Sequence, residues 1–278
     1  MEDMLLTETK EKRRQMNDNH IPQHSGSNKP DMVAIGTVAA GVLAAIFFVN
    51  NRLLPNIIGV VFMALYVIGR KSYRRMVAGR GTMTRAGALI DQWTDHLVFA
   101  FIYLAICCRL YYTPMPGVDM PWKWAICALC LVAAVFAHSP QSALTDYYKQ
   151  LHRWMKNGTG SSHPYRLHRQ MERHTPHLQR MLKALESAEA EGRHLPDDLR
   201  ARFLSGSDRL LRIGRCLSLP VRSTLLSVAC LVGHPWAYPL AEVVVLGCVY
   251  IYLHKSHEAL CDEISNQLNM TREDETGV

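Results

Sequence analysis

Between Asp31 and Asp91 the chain has neither aspartate nor glutamate. That absence excludes a carboxylate-built site from this stretch. It also leaves Arg70, Lys71, Arg74, Arg75, Arg80 and Arg85 as a basic run with no acid before Asp91. The first apolar run does not read as a cleavable secretory signal, because it starts too late and lacks a small-residue cleavage pattern. The eight cysteines do not read as a disulfide framework. Cys107, Cys108, Cys127, Cys130, Cys230 and Cys248 lie in apolar runs, where cysteine packs as a small hydrophobe. Cys127 and Cys130 spell a single CxxC, which is a weak zinc or redox signal inside an apolar helix. Nor is there an internal inverted repeat or broken helix of the kind that marks a small transporter.

What the chain does have is six apolar runs, at residues 32–49, 53–69, 97–108, 124–137, 217–232 and 236–253. A helix needs about 20 apolar residues to cross a bilayer, with a range of about 17 to 25. The first two runs and the last approach that length, and the shorter ones extend into their flanks. The reading is an all-α, polytopic membrane protein of about six transmembrane helices with a helical cytoplasmic insert. The formal net charge of +7 sits in the loop after residue 69 and in a stretch from Lys149 to Arg215. The complementary loops, at 50–52, 109–123 and 233–235, carry few basic residues. Lys and Arg stay preferentially on the cytoplasmic side, so both termini are expected there, and the charge points to membrane lipids and not to nucleic acid. Tyr111, Tyr112, Trp122 and Trp124 bracket an outer loop, as aromatic residues do at a membrane interface.

Residues 1–30 form a polar cytoplasmic segment, either a short amphipathic helix with a linker or a disordered stretch. Residues 31–258 form the membrane domain, interrupted by the insert at 139–215, and 259–278 form a polar cytoplasmic tail. The third helix is expected from about Thr84 to Tyr112, and the fourth to return to His138. Within the insert, 143–157 and 167–191 have amphipathic helical periodicity, and Asp197 and Asp198 suit the first turn of a helix through Leu211. His152, His163, His168, His174, His177 and His194 also fall there. His174 and His177 have a metal-pair spacing, but Pro176 intervenes, and a basic, headgroup-facing surface is the preferred reading.

Ionisable residues at membrane depth are costly and mark functional sites by default. Asp91, Asp95, Arg222 and Glu242 qualify. Asp91 and Asp95, four apart, share one helix face and repel unless a metal, a proton or a cation compensates them. His96 is one such partner, and solvated acids at a helix end are the alternative. Arg222 and Glu242 stand on opposite arms of the last hairpin at different depths, and Arg222 is long enough to snorkel to the surface.

Gly87-Ala-Leu-Ile-Asp91-Gln-Trp-Thr-Asp95 resembles the second half of the CDP-alcohol phosphatidyltransferase signature, D-x2-D-G-x2-A-R-x8-G-x3-D-x3-D. The six-helix topology, the Leu-Pro-Asn-Ile turn at 54–57 and His138-Ser-Pro-Gln-Ser-Ala-Leu-Thr-Asp-Tyr-Tyr148 look like bacterial members. The resemblance spans about 30 to 258, and it implies a homodimer in the bacterial cytoplasmic membrane that acts in phospholipid biosynthesis. Such an enzyme transfers a phospho-alcohol or phosphatidyl group from a CDP-alcohol to an alcohol and releases CMP. By resemblance, Asp91 would ligate Mg²⁺ or Mn²⁺ and Asp95 would be the general base, with Gly87 fixing the motif.

Counted back from Gly87, the two leading aspartates of that signature fall on Arg70 and Tyr73, the glycine on Arg74, and Ala-Arg on Val77-Ala78. Two functions therefore stand side by side. One is a transferase with rearranged ligands, using Asp91, Asp95 and Asp146 as acids. The other is an inactive paralogue that binds anionic lipid or nucleotide, or partners an active homologue. In the first, Arg70, Arg74 and Arg75 bind phosphate directly, as guanidinium groups do well; in the second, Arg74 is expected to contribute to binding anionic lipid, and Arg222 is a further site candidate. A small transporter with an aspartate proton relay ranks last.

Overall fold

The computed structural model describes residues 29–79, 85–157, 175–190 and 196–276. Residues 1–28 of the expected N-terminal segment therefore lie outside the described residues, as do His163, His168, His174 and His194, while Lys29 and Pro30 already belong to the first helix. The described residues are helical throughout, joined by turns, with no strand among them.

Helices α1 (Lys29–Phe48) and α2 (Leu53–Gly79) form a hairpin, and α3 (Arg85–Leu110) packs on α1. Helix α4 (Lys123–Val132) passes through a π turn (Ala133–His138) into α5 (Ser139–Asn157). Two amphipathic helices follow, α6 (Pro176–Ala190) and α7 (Asp197–Gly214), the latter opening on Asp197 and Asp198 as expected. A final apolar hairpin consists of α8 (Leu219–Leu231) and α9 (Ala237–Ala241), which runs through a second π turn (Glu242–Leu246) into α10 (Gly247–Thr276).

Four helices are long and apolar enough to cross a bilayer: Leu53–Met76, Trp93–Leu110, Lys123–Asn157 and Ala237–Met270. Their outward faces carry exposed Leu65, Ile68, Leu104, Phe136, Val245 and Ile251, a distribution that suits lipid and not water. Inward, Phe48, Tyr66, Val98, Ile102, Ile126 and Leu226 close a first core among α1–α4 and α8. A second core gathers Tyr148, Leu151, Met181, Phe203, Cys261 and Ile264 from α5, α6, α7 and α10.

Two boundaries differ from the sequence expectation. The fourth helix does not end at His138, because the π turn keeps it hydrogen-bonded and it continues to Asn157. The segment read as a polar tail is helical to Thr276, and its Cys261 and Ile264 are fully buried in the second core. Polar composition concealed an amphipathic helix with a narrow apolar stripe.

The turns at one end are tied by side chains. Arg109, at the end of α3, donates to Asn51 Oδ1 at 2.8 Å, Asn56 Oδ1 at 3.0 Å and the Phe48 carbonyl at 3.2 Å. That fork satisfies the carbonyl end of α1 and locks the α1–α2 turn. Gly233, at φ 79°, closes α8 with His234 N–H on the Ala229 carbonyl at 2.9 Å, a Schellman arrangement.

Helices α1 and α2 approach closely because Gly59 has no side chain. A Cβ there would stand 2.8 Å from Phe48 Cε1, whereas one at Gly36 would meet nothing within 4 Å. Gly59→Ala should cost about 1 to 3 kcal/mol through overpacking. Gly36→Ala should be neutral, or stabilising by up to about 1 kcal/mol through helix propensity. Thermal unfolding of both variants in the same detergent checks the contrast.

Candidate functional site

A cleft of about 770 Å³ opens where α2, α3, α5 and the α7–α8 turn meet. Its lining holds seven cationic side chains (Arg70, Lys71, Arg74, Arg75, Lys149, Arg153 and Arg222) against two carboxylates, Asp95 and Asp146. The basic end of α2 supplies the first four because helix spacing brings residues 70, 71, 74 and 75 toward one side. Among the described residues no ion pair engages Lys71, Arg75 or Arg153, and all three side chains are exposed.

One wall of the cleft is built on Asp95. Arg70 grips its carboxylate as a fork, with Nε to Oδ1 at 2.7 Å and Nη2 to Oδ2 at 2.9 Å. Arg74 reaches Oδ2 at 3.4 Å, and the Tyr66 hydroxyl also donates to Oδ1. The compensating partners of Asp95 are therefore two arginines and a tyrosine of α2. His96, expected as the partner, instead stacks edge-on toward His138 at 5.9 Å. Helix α3 turns the adjacent residue onto a different face.

About two turns deeper along α3 lies a second polar cluster. Arg222 is 1% exposed and Glu242 0%. Their side chains form an ion pair, so the snorkelling expectation for Arg222 is corrected. The two arms place these residues at one depth because α8 enters through a short 3₁₀ turn at Arg215–Leu217 and Glu242 opens a π turn. Arg222 also donates to Gln141 Oε1 at 2.7 Å and the Leu217 carbonyl at 3.0 Å, and lies 2.8 Å from His138 Nδ1. Glu242 accepts from Tyr103 and stands 3.0 Å from His138 Nδ1. Each group is costly in an apolar interior unless paired, and here the pairing is nearly complete.

Asp95, Asp146, Arg70, Arg74, Arg75 and Arg222, all singled out in the sequence, line this one cleft. Arg70 is 2% exposed and committed to Asp95, whereas Arg75 is exposed. Asp146 pairs with Lys149 at 3.0 Å. Gly87 and Asp91 belong to α3, but their side chains lie outside the described residues. The sequence reading omitted Tyr66, Tyr103, Gln141, Lys149 and Arg153. For Gln141 the available signal was polarity beside an apolar run, and for Lys149 and Arg153 it was the basic stretch that begins at Lys149.

Among the described residues no three His, Cys, Asp or Glu side chains converge as metal ligands. Both oxygens of Asp95 already accept from Arg70, so this carboxylate has its counter-charge within the protein. His174 lies outside the described residues; His177 Nδ1 meets Asp262 Oδ1 at 2.7 Å and the His177 backbone N–H donates to Glu258 Oε2 at 3.0 Å, docking α6 on α10. Compared with family models, curated proteins and solved structures, the chain matches none.

Removing one member of the Asp95 fork leaves an uncompensated charge. Arg70→Met should destabilise by about 3 kcal/mol, and Arg70→Met with Asp95→Leu should recover most of that loss. A double-mutant cycle on thermal unfolding measures the coupling.

Proposed function

We propose that this protein is an integral membrane phosphate-ester-binding protein of CDP-alcohol phosphatidyltransferase type. In this reading, guanidinium groups stand where the enzyme family uses metal ions. The observation that carries it is the cleft lining, seven cations against two carboxylates at the end of an apolar helix bundle. Arg70 falls at the position of the signature's first aspartate and Asp95 at its last, and the two form a fork. A fixed guanidinium thus supplies the counter-charge that Asp95 needs without a divalent ion.

The membrane domain has six spans in this reading. Helix α1, with 20 residues, and α8, with 13, join the four longer helices. The cleft faces the cytoplasm, where the basic loops belong, and the chain pairs as a homodimer in a bacterial cytoplasmic membrane. The ligand is an anionic phospholipid headgroup or a CDP-alcohol, held by Arg74, Arg75, Lys149 and Arg153.

A second reading, a transferase with rearranged ligands, draws on the carboxylates of Asp95 and Asp146 within the same cleft. One of them would take the proton of the acceptor alcohol as the CDP-alcohol phosphate is attacked and CMP leaves.

The two readings separate on one preparation. Purified protein in phosphatidylcholine nanodiscs should bind added phosphatidic acid yet release no CMP from CDP-diacylglycerol at any Mg²⁺ or Mn²⁺ concentration. Arg75→Ala and Arg153→Ala should each weaken phosphatidic acid binding about fivefold, the loss of about 1 kcal/mol per basic side chain. CMP release that disappears in Asp95→Asn would establish the transferase instead.

A further inference from the structure

The deep cluster has more order than the packing of apolar helices requires. A buried ion pair is weak evidence of stabilisation, since apolar residues of similar volume often do as well. Here two π turns, a rare helical form often found at functional sites, meet around it. His138 closes one and Glu242 opens the other. Gln141, three residues past the first turn, donates to the Glu242 backbone carbonyl at 3.3 Å. Both His138 and Arg222 line the cleft although each is nearly inaccessible, so they form its floor.

A donor count shows what the floor offers. A guanidinium has five N–H groups. Those of Arg222 reach the Leu217 carbonyl, Gln141 and Glu242, and also the Nδ1 of His138 in the tautomer that leaves that nitrogen unprotonated. Of the two N–H groups on Nη2, one is taken by Gln141 and the other has no protein acceptor among the described residues. Ser218, Leu219 and Pro220, at the start of α8, also line the cleft. The Arg222–Glu242 pair is close to neutral overall. Long-range attraction of an anion therefore comes from the α2 and α5 cations, while the floor supplies a directed donor.

We infer that Arg222 is the deep binding residue for a phosphate oxyanion, donating through its remaining N–H, and that Glu242 is a positioning residue which holds it there. This deepens the proposed function and rests on the cleft being a phosphate-ester site. The same chemistry serves a lipid headgroup or a soluble phosphate.

The test uses full-length protein in phosphatidylcholine nanodiscs with two probes, phosphatidic acid in the bilayer and inorganic phosphate in solution. Stronger binding of the first identifies a headgroup site, and of the second a soluble-anion site; either supports the floor if it depends on Arg222. Arg222→Met with Glu242→Leu removes the pair without stranding a charge. Affinity for the preferred probe should fall at least about tenfold, as expected for loss of a charge-assisted hydrogen bond. In wild type, the ¹⁵N resonance of His138, assigned by its loss in His138→Gln, should shift on probe addition. In the double variant it should not. Should the double variant fail to fold, Glu242→Gln carries the test, with affinity expected to drop severalfold and the His138 shift to shrink. Wild-type affinity in the folded double variant, or in Glu242→Gln if that is the one tested, overturns the inference and leaves the cleft reading standing. No binding of either probe by wild type overturns the cleft reading itself.

Discussion

A guanidinium buried among apolar helices must find acceptors for its N–H groups within the protein, and the arrangement around Arg222 follows from that requirement. Leu217, the neighbouring pair His138 and Gln141, and Glu242 come from three different places in the chain to meet it. Bringing them together fixes how α8 enters the bundle, where α4 passes into α5 and where α9 passes into α10. The π turns sit at the two helix passages in question. Arg70 and Asp95 repeat the arrangement nearer the rim, tying α2 to α3.

These two ion pairs divide the molecule. Beyond them the helices pack through small residues and aromatic rings, with apolar side chains facing outward. On the other side, the amphipathic helices α5, α6, α7 and the later part of α10 close a core of their own. The cleft lies between the two cores, where helix ends expose basic residues and the bundle stops being apolar all round. A phosphate group bound there would have its charge among cations and any acyl chains beside the apolar helices.

Much of this was legible from residue order. The apolar runs, the third helix from about Thr84, the acidic start of α7 and the helical insert follow from periodicity and capping chemistry, which act over a few neighbours. Asp95, Arg222 and Glu242 stood out because charge within an apolar run needs a reason. Their partners did not, since pairing Arg222 with Glu242 requires knowing the relative depth of two helix arms. A π turn shifts that depth without leaving a clear mark in the sequence. Tyr66 and Tyr103 were hidden for a related reason: a tyrosine in an apolar run packs equally well as a core ring, and only the facing carboxylate gives its hydroxyl a role.

By itself the sequence determined that the chain is helical and apolar over long stretches, that its positive charge is concentrated between those stretches, and that no acid lies between Asp31 and Asp91. These are properties of composition and local period, and burial of apolar surface makes them decisive. The tertiary structure alone decided that Arg70 faces Asp95, that Arg222 turns inward to Glu242, and that Lys71, Arg74, Arg75, Lys149 and Arg153 line one cleft with them. Those outcomes depend on helix rotation and depth, set by the cost of leaving any buried charge or N–H group without its partner.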